Sequence, residues 1–326
     1  MAFKAPQGLI PAAVAAADTI PPRLGPNLAK AATLARQEKA SATRRAYCSD
    51  FQIFDRWRAG RGMSPLPALP ESVAAFLADE VERGIRPSTI GRRVAAIRYA
   101  HRLAGHAAPT DDERVKATVR GIRRSLGTAA RKKAPATAER LIAMALGTGD
   151  GLKGLRDRAL LLLGFAGAFR RSELVALDCE DVEDCESGLR ITIRRAKTDQ
   201  EGQGATIAIV RGSISCPVAA VQVWRSAAGI STGPLFRSIR KGGKLGDRLT
   251  DQSVADIVKT HAGRVGLDPS QFAGHSLRAG FLTSAAKRGA SIFKMMDQSR
   301  HRSVDTLRGY VRDAEIFKDH AGAGLL

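Results

Sequence analysis

The residues best suited to chemistry lie near the end of the chain: His275-Ser-Leu-Arg278, then His301, then Tyr310 within Thr-Leu-Arg-Gly-Tyr-Val-Arg. Two imidazoles, a guanidinium and a phenol in a strongly basic protein suggest attack on a phosphodiester. Such an ester carries a negative charge that repels nucleophiles and concentrates in a pentacovalent transition state, so guanidinium groups are its natural stabilisers. A phenol with an ordinary pKa of about 10 needs a base or a cationic surround before it attacks. His275 is the candidate base. A lone His-x-x-Arg is weak evidence, because such pairs arise by chance in basic proteins.

The 326 residues carry 52 Lys and Arg against 32 Asp and Glu, a net charge of +20, and 44% are hydrophobic. That length and composition imply two globular domains with a sizeable core, and the charge points to nucleic acid as partner. No stretch of eighteen apolar residues suggests a membrane span. Cys48, Cys179, Cys185 and Cys216 are scattered without a C-x-x-C pair, which argues against a disulfide framework or zinc site and for a reducing compartment. The segment from Leu9 to Ala17 faintly resembles a signal-peptide core, but Pro11 interrupts it. The expected location is cytoplasmic, on the nucleoid.

Residues 1–28, rich in Ala and Pro, read as a flexible N-terminal arm. Residues 29–127 read as a helical, DNA-binding core domain, and 128–136, with Arg131-Lys132-Lys133, as a basic linker. Between 29 and 133 there are 22 Lys and Arg against 10 Asp and Glu. A first helix starts near Ser41 as N-cap and carries Tyr47, Phe51, Phe54 and Trp57 at core spacing. A second covers about Glu71 to Arg83. A third follows Pro87, with Ile90, Val94, Ile97 and His101 on one side and Arg92, Arg93 and Arg102 turned away; a fourth runs from about Asp111 to Leu126. Arg44, Arg45, Arg92, Arg93, Lys132 and Lys133 are the candidate phosphate contacts, which would set position more than sequence preference.

Residues 137–311 read as the catalytic domain, mostly α with a small antiparallel sheet. Helices are expected near Thr137 to Leu146 and from about Leu155, and Ser172 is a possible cap of a short helix carrying Leu174 and Leu177. Leu189, Ile191 and Ile193 alternate with polar residues, as do Ile207 and Ile209, which predicts a hairpin with Lys197 at the end of its first strand. Pro217 and Thr250 mark two further helix starts, and helices are expected over Ser276 to Gly289, Ile292 to Gln298 and Val304 to Val311.

Taken in order, Arg170 in Phe-Arg-Arg-Ser-Glu-Leu, Lys197, His275-Ser-Leu-Arg278, His301 and Tyr310 resemble the tyrosine recombinase (phage integrase) family over about 290 residues. The resemblance implies a helical, SAM-like core-binding domain and a mixed α/β catalytic domain closing as a C-shaped clamp on double-stranded DNA. It implies a site-specific recombinase or integrase that cleaves and rejoins strands through a 3′-phosphotyrosine on Tyr310. Arg170 and Arg278 would hold the phosphate, His275 would serve as base, Lys197 as general acid, and His301 would bond a non-bridging oxygen. Glu173 would support its neighbours. Neither metal nor other cofactor is implied, and the assembly would be a homotetramer on paired sites, with accessory DNA-bending or recombinase partners in some systems.

Two departures stand out. Arg171 follows Arg170, and the register Arg-x-Ser-Glu-Leu selects Arg170. Arg300 precedes His301 where many members carry glycine, which bears on the local backbone. Residues 312–326 form a tail with Ile316, Phe317, Leu325 and Leu326 as apolar handles, able to pack on its own domain or on a neighbouring subunit. The histidines lack metal-ligand spacing, and His101, His106, His261 and His320 read as packing or surface residues. Competing readings are a catalytically silent DNA-binding or architectural relative, which should have lost a site residue, and a type IB topoisomerase-like nicking and closing enzyme.

Overall fold

The computed structural model describes residues 38–64, 66–129, 133–194 and 204–314, with isolated positions nearer the termini. Apart from position 27, the expected N-terminal arm lies outside the described residues, and so do Lys132, Lys197 and the apolar handles of the tail. The chain divides into two compact units, Met1–Ala130 and Arg131–Leu326.

The first unit is built from α1 (Ser41–Ala59), α2 (Pro70–Glu82), α3 (Pro87–Leu103) and α4 (Glu113–Leu126). Ala40, not Ser41, is the N-cap of α1, and no side chain caps it. Both α2 and α3 open on proline, whose fixed φ suits a first helical position and whose missing N–H would have no partner there. Asp112 caps α4 by accepting from the Arg114 amide at 2.9 Å. The aromatic stripe is core: Phe54 is fully buried, with ring centroids 5.1 Å from Phe76, and Trp57 stacks edge-on to Phe76 while donating to Asp79 at 2.9 Å. Val73, Leu77, Ile90, Ile97 and Val115 close the interior.

One expectation for this unit is overturned. Arg93 does not face outward; it is 8% exposed and inserted between Glu80 and Asp50. Burying a charge is tolerated only against paired carboxylates, and these two supply that pairing. It is therefore withdrawn as a phosphate contact. Arg92 clasps Asp50 through Nε at 2.6 Å and Nη2 at 3.1 Å but stays half exposed. Arg44 is half-buried and Arg45 exposed.

The second unit holds α5 (Ala138–Leu146), α6 (Leu152–Ala166), α7 (Arg171–Ala176), β1 (Val182–Cys185), β2 (Gly188–Ile193), β3 (Ala205–Val210), α8 (Pro217–Ala228), β4 (Arg237–Ile239), β5 (Leu245–Arg248), α9 (Asp251–Arg264), α10 (Ser276–Lys287), α11 (Ile292–Ser299) and α12 (Val304–Ala314). Leu160 to Leu163 on α6 are all buried, because the helix runs through the centre of this unit's core. The predicted hairpin is β2–β3, with Ile191 opposite Ile207 and Leu189 opposite Ile209. A third strand, β1, extends it in the order β1-β2-β3, and a second small hairpin pairs β4 with β5. Neither addition was expected, since Val-Glu-Asp-Cys and the Gly- and Lys-rich 240–244 turn lack a clear period-two pattern.

The expected linker ends earlier than position 136. The Ala134 amide donates to Gln271 O at 2.7 Å and the Ala136 amide to Ser276 O at 2.9 Å, so the chain has joined the second unit by Ala134. Ala136 is fully buried against α10, and a Cβ at Gly280 would lie 1.8 Å from its carbonyl oxygen, an approach only glycine permits. His101 and His261 are buried; His261 Nε2 lies 3.0 Å from Asp157 Oδ2, beside Arg156.

Candidate active site

Three short elements of the second unit meet at the site. The first is the turn from α6 into α7. Gly167 precedes Ala168, whose φ of 45° is unusual for a residue with a Cβ, and the strained turn presents the Ala168 carbonyl inward. Arg170 is the N-cap of α7, while Ser172, the expected cap, lies inside the helix. Glu173 takes the capping role: its Oε2 accepts the Arg170 backbone amide at 3.0 Å and its Oε1 accepts Arg170 Nη1 at 2.6 Å. Arg171 turns away and pairs with Asp251 near the surface. The register chosen from sequence is thus the one that faces the pocket.

The second element is the start of α10, with His275 as its N-cap. Arg278, one turn on, is 1% exposed, yet its guanidinium is well used: Nη1 donates to Ala168 O at 2.7 Å, and Nη2 lies 3.1 Å from His301 Nε2 and 3.2 Å from Nδ1. Burial, and then the guanidinium groups of Arg170 and Arg300, hold its pKa down to about 9, so it remains a cation at neutral pH.

The third element is the end of α11 and the following helix. Ser299 is fully buried; its hydroxyl lies 2.5 Å from Met295 O and 2.7 Å from His301 Nδ1. With the Ser299 proton given to Met295 O, its oxygen accepts from Nδ1–H, and Nε2 is left as the acceptor. Burial, followed by repulsion from Arg278 and Arg170, lowers the His301 pKa to about 4, so the ring is neutral at pH 7. On α12, Leu307 is fully buried with Leu282, Ala286 and Met295, and this cluster seats the helix that carries Tyr310. Tyr310 Oη lies 3.4 Å from His275 Nε2. Lost hydration, then Arg278 and Arg170, lower the His275 pKa as well.

Arg170, Glu173, His275, Arg278, His301 and Tyr310 are therefore gathered in one pocket. Two further side chains, neither expected from the sequence, support it from behind. Ser299 fixes the His301 ring. Arg300, 8% exposed, donates to Glu173 Oε2 at 2.8 Å, to Gly167 O at 3.1 Å and to Gln298 O at 2.7 Å. The signal for Arg300 was present as a charged residue where glycine was expected, but its direction was not. Three guanidinium groups face one carboxylate, so the pocket carries uncompensated positive charge and can accept an anion whose oxygens replace the missing counter-charge. A neutral imidazole beside a phenol, in the field of those cations, can take the phenol proton.

The phage integrase family model matches residues 134–315, more than half of the chain. The chain belongs to the phage integrase family. Among its relatives, the integrase/recombinase xerD homolog of Selenomonas ruminantium is 41% identical over 299 residues, covering 90% of this chain and 87% of that protein. Recombinase cre of Escherichia phage P1 is 26% identical, covering 76% and 77%. A lambda integrase dimer, solved bound to a COC' core site, shares the fold with a TM-score of 0.62 at 16% identity, over 88% of this chain and 76% of that one. The integrase-family match takes in the whole pocket, from Arg170 to Tyr310. As in its named relatives, the activity is that of a tyrosine recombinase, a DNA strand-transferring enzyme.

Proposed function

We propose that this site-specific recombinase cleaves DNA with Tyr310 as nucleophile. The observation that carries the assignment is the 3.4 Å approach of His275 Nε2 to Tyr310 Oη beside Arg278 and Arg170. In the first step His275 accepts the phenolic proton while Oη forms a bond to phosphorus. The bond from phosphorus to the 5′ oxygen breaks, and that oxygen leaves as a hydroxyl once protonated, a role we give to Lys197 by family resemblance. Arg170 and Arg278 neutralise the charge that grows on the non-bridging oxygens, and His301, once the phosphate anion has drawn a proton onto its Nε2, donates to one of them. Attack by a 5′ hydroxyl of another strand reverses the sequence and releases Tyr310. The phosphoester energy is conserved, so no nucleotide cofactor enters.

The partner in this reading is double-stranded DNA, held as a tetramer on paired sites. Known structures of relatives support that reading: lambda integrase has been solved as a tetramer bound to a Holliday junction. Arg44, Arg45, Arg92, Lys132 and Lys133 are the proposed phosphate contacts; Lys133 is exposed, with Nζ 2.6 Å from Ser270 O. No described helix is long and apolar enough to cross a membrane, and we place the enzyme with the chromosome in the cytoplasm. A suicide substrate, nicked so that the cleaved end diffuses away, should trap a covalent protein–DNA band. Tyr310→Phe should trap none, and a band of undiminished strength from that variant would sink the assignment.

A further inference from the structure

Arg300 sits at the C-cap of α11 with φ of 57° and ψ of 42°, a left-handed conformation that glycine adopts without strain and arginine does not. A side chain kept there must be used. Its guanidinium is buried over the Phe169 ring, 5.3 Å from the centroid, and makes four bonds. Nη2 donates to Glu173 Oε2 at 2.8 Å and approaches Ala168 O at 3.4 Å, and Nη1 donates to Gly167 O at 3.1 Å and Gln298 O at 2.7 Å. Two of those acceptors also serve the residues assigned to the phosphate. Glu173 holds Arg170 through side chain and backbone, and Ala168 O holds Arg278.

We infer that Arg300 is a positioning residue for strand cleavage: it locks the Gly167–Ala168 turn and Glu173 to the end of α11, and so fixes Arg170 and Arg278 relative to His301. At 8% exposure its own side chain is set behind the pocket and acts through the two other arginines. Glu173 is pinned from opposite ends by Arg170 and Arg300, and its buried carboxylate stays ionised because of them: burial raises its pKa, but Arg300 and then Arg170 outweigh it and leave it lowered. A lysine in this place would keep the charge without the fork that reaches Glu173 and three carbonyls together.

The inference rests on the recombinase reading, and the test separates the two. In single-turnover cleavage of the nicked DNA site, the parent protein and Tyr310→Phe first establish that the assay reads Tyr310 chemistry. Arg300→Gly relieves the backbone strain, so it should fold and bind the site with affinity within about twofold of the parent, yet cleave about 10- to 100-fold more slowly, the scale expected for an ångström-level misplacement of stabilising groups. Arg300→Lys should be slowed by about tenfold or more, and decides the matter if the glycine variant fails to fold. Combining Arg300→Gly with Glu173→Gln should cost less than the product of the single losses, because both act on the same two arginines. Parent-rate cleavage by either Arg300 variant, or losses that multiply in the double variant, would overturn the inference.

Discussion

At the scale of single residues, the pocket is organised around protons as much as around charge. In the free protein His301 has a pKa of about 4 and His275 is also lowered, chiefly by lost hydration and then by Arg278 and Arg170. A phosphodiester anion placed among these groups offsets the repulsion, so both imidazoles should gain affinity for protons when DNA binds. Linkage then requires that site affinity strengthen as pH falls below neutrality towards the free His301 value of about 4, and that binding take up protons. Calorimetry at pH 6 in buffers of different ionisation enthalpy measures that uptake; it should be positive and smaller in His301→Gln, and its absence would contradict this account of the pocket. That Arg170, His275, Arg278, His301 and Tyr310 would meet was legible only once their types and order were matched to the family pattern. Ser299 and Arg300 were not, because their contributions depend on a buried hydroxyl and a left-handed backbone that no spacing rule reports.

At the scale of elements, the nucleophile is carried by a helix with a small footing. Leu307, packed among Leu282, Ala286 and Met295, is the fully buried anchor of α12 among the described residues. Leu307→Ala should cost about 2–5 kcal/mol of packing, the usual range for a buried leucine. Part of that cost should appear as loosening of α12 rather than global unfolding. Covalent-adduct formation on the nicked site should therefore slow by more than DNA affinity weakens, and equal effects on both would show that α12 is held by something else. The helices could be read in advance where apolar spacing was regular, as on α1 and α3, and the β2–β3 pair where alternation was strict. The cap of α7 was misassigned because Ser172 is a good cap by type, whereas the capping carboxylate comes from Glu173, three residues inside. Strand β1 was missed because its polar residues pair by backbone to β2 and obey no alternation.

At the scale of the molecule, a net charge of +20 makes DNA binding a matter of counterion release. With about six to ten phosphates contacted, affinity for any duplex should fall about 10³- to 10⁵-fold between 50 and 200 mM salt, measured by fluorescence anisotropy. A shallow salt dependence would mean that few of the lysines and arginines touch the backbone. Charge totals were visible in the sequence, but their distribution was not: Arg93 is spent inside the first unit because Asp50 and Glu80, distant along the chain, fold against it. A different kind of constraint follows from the Ala168 carbonyl, on which Arg278 and Arg300 converge. A main-chain oxygen is present whatever the codon specifies, so no single base change can delete this acceptor. Variation at position 168 can act only by shifting the turn that aims it. In the evolution of such a chain the acceptor is inherited as a shape, and its persistence would be recorded in tolerated backbone angles instead of in an invariant letter.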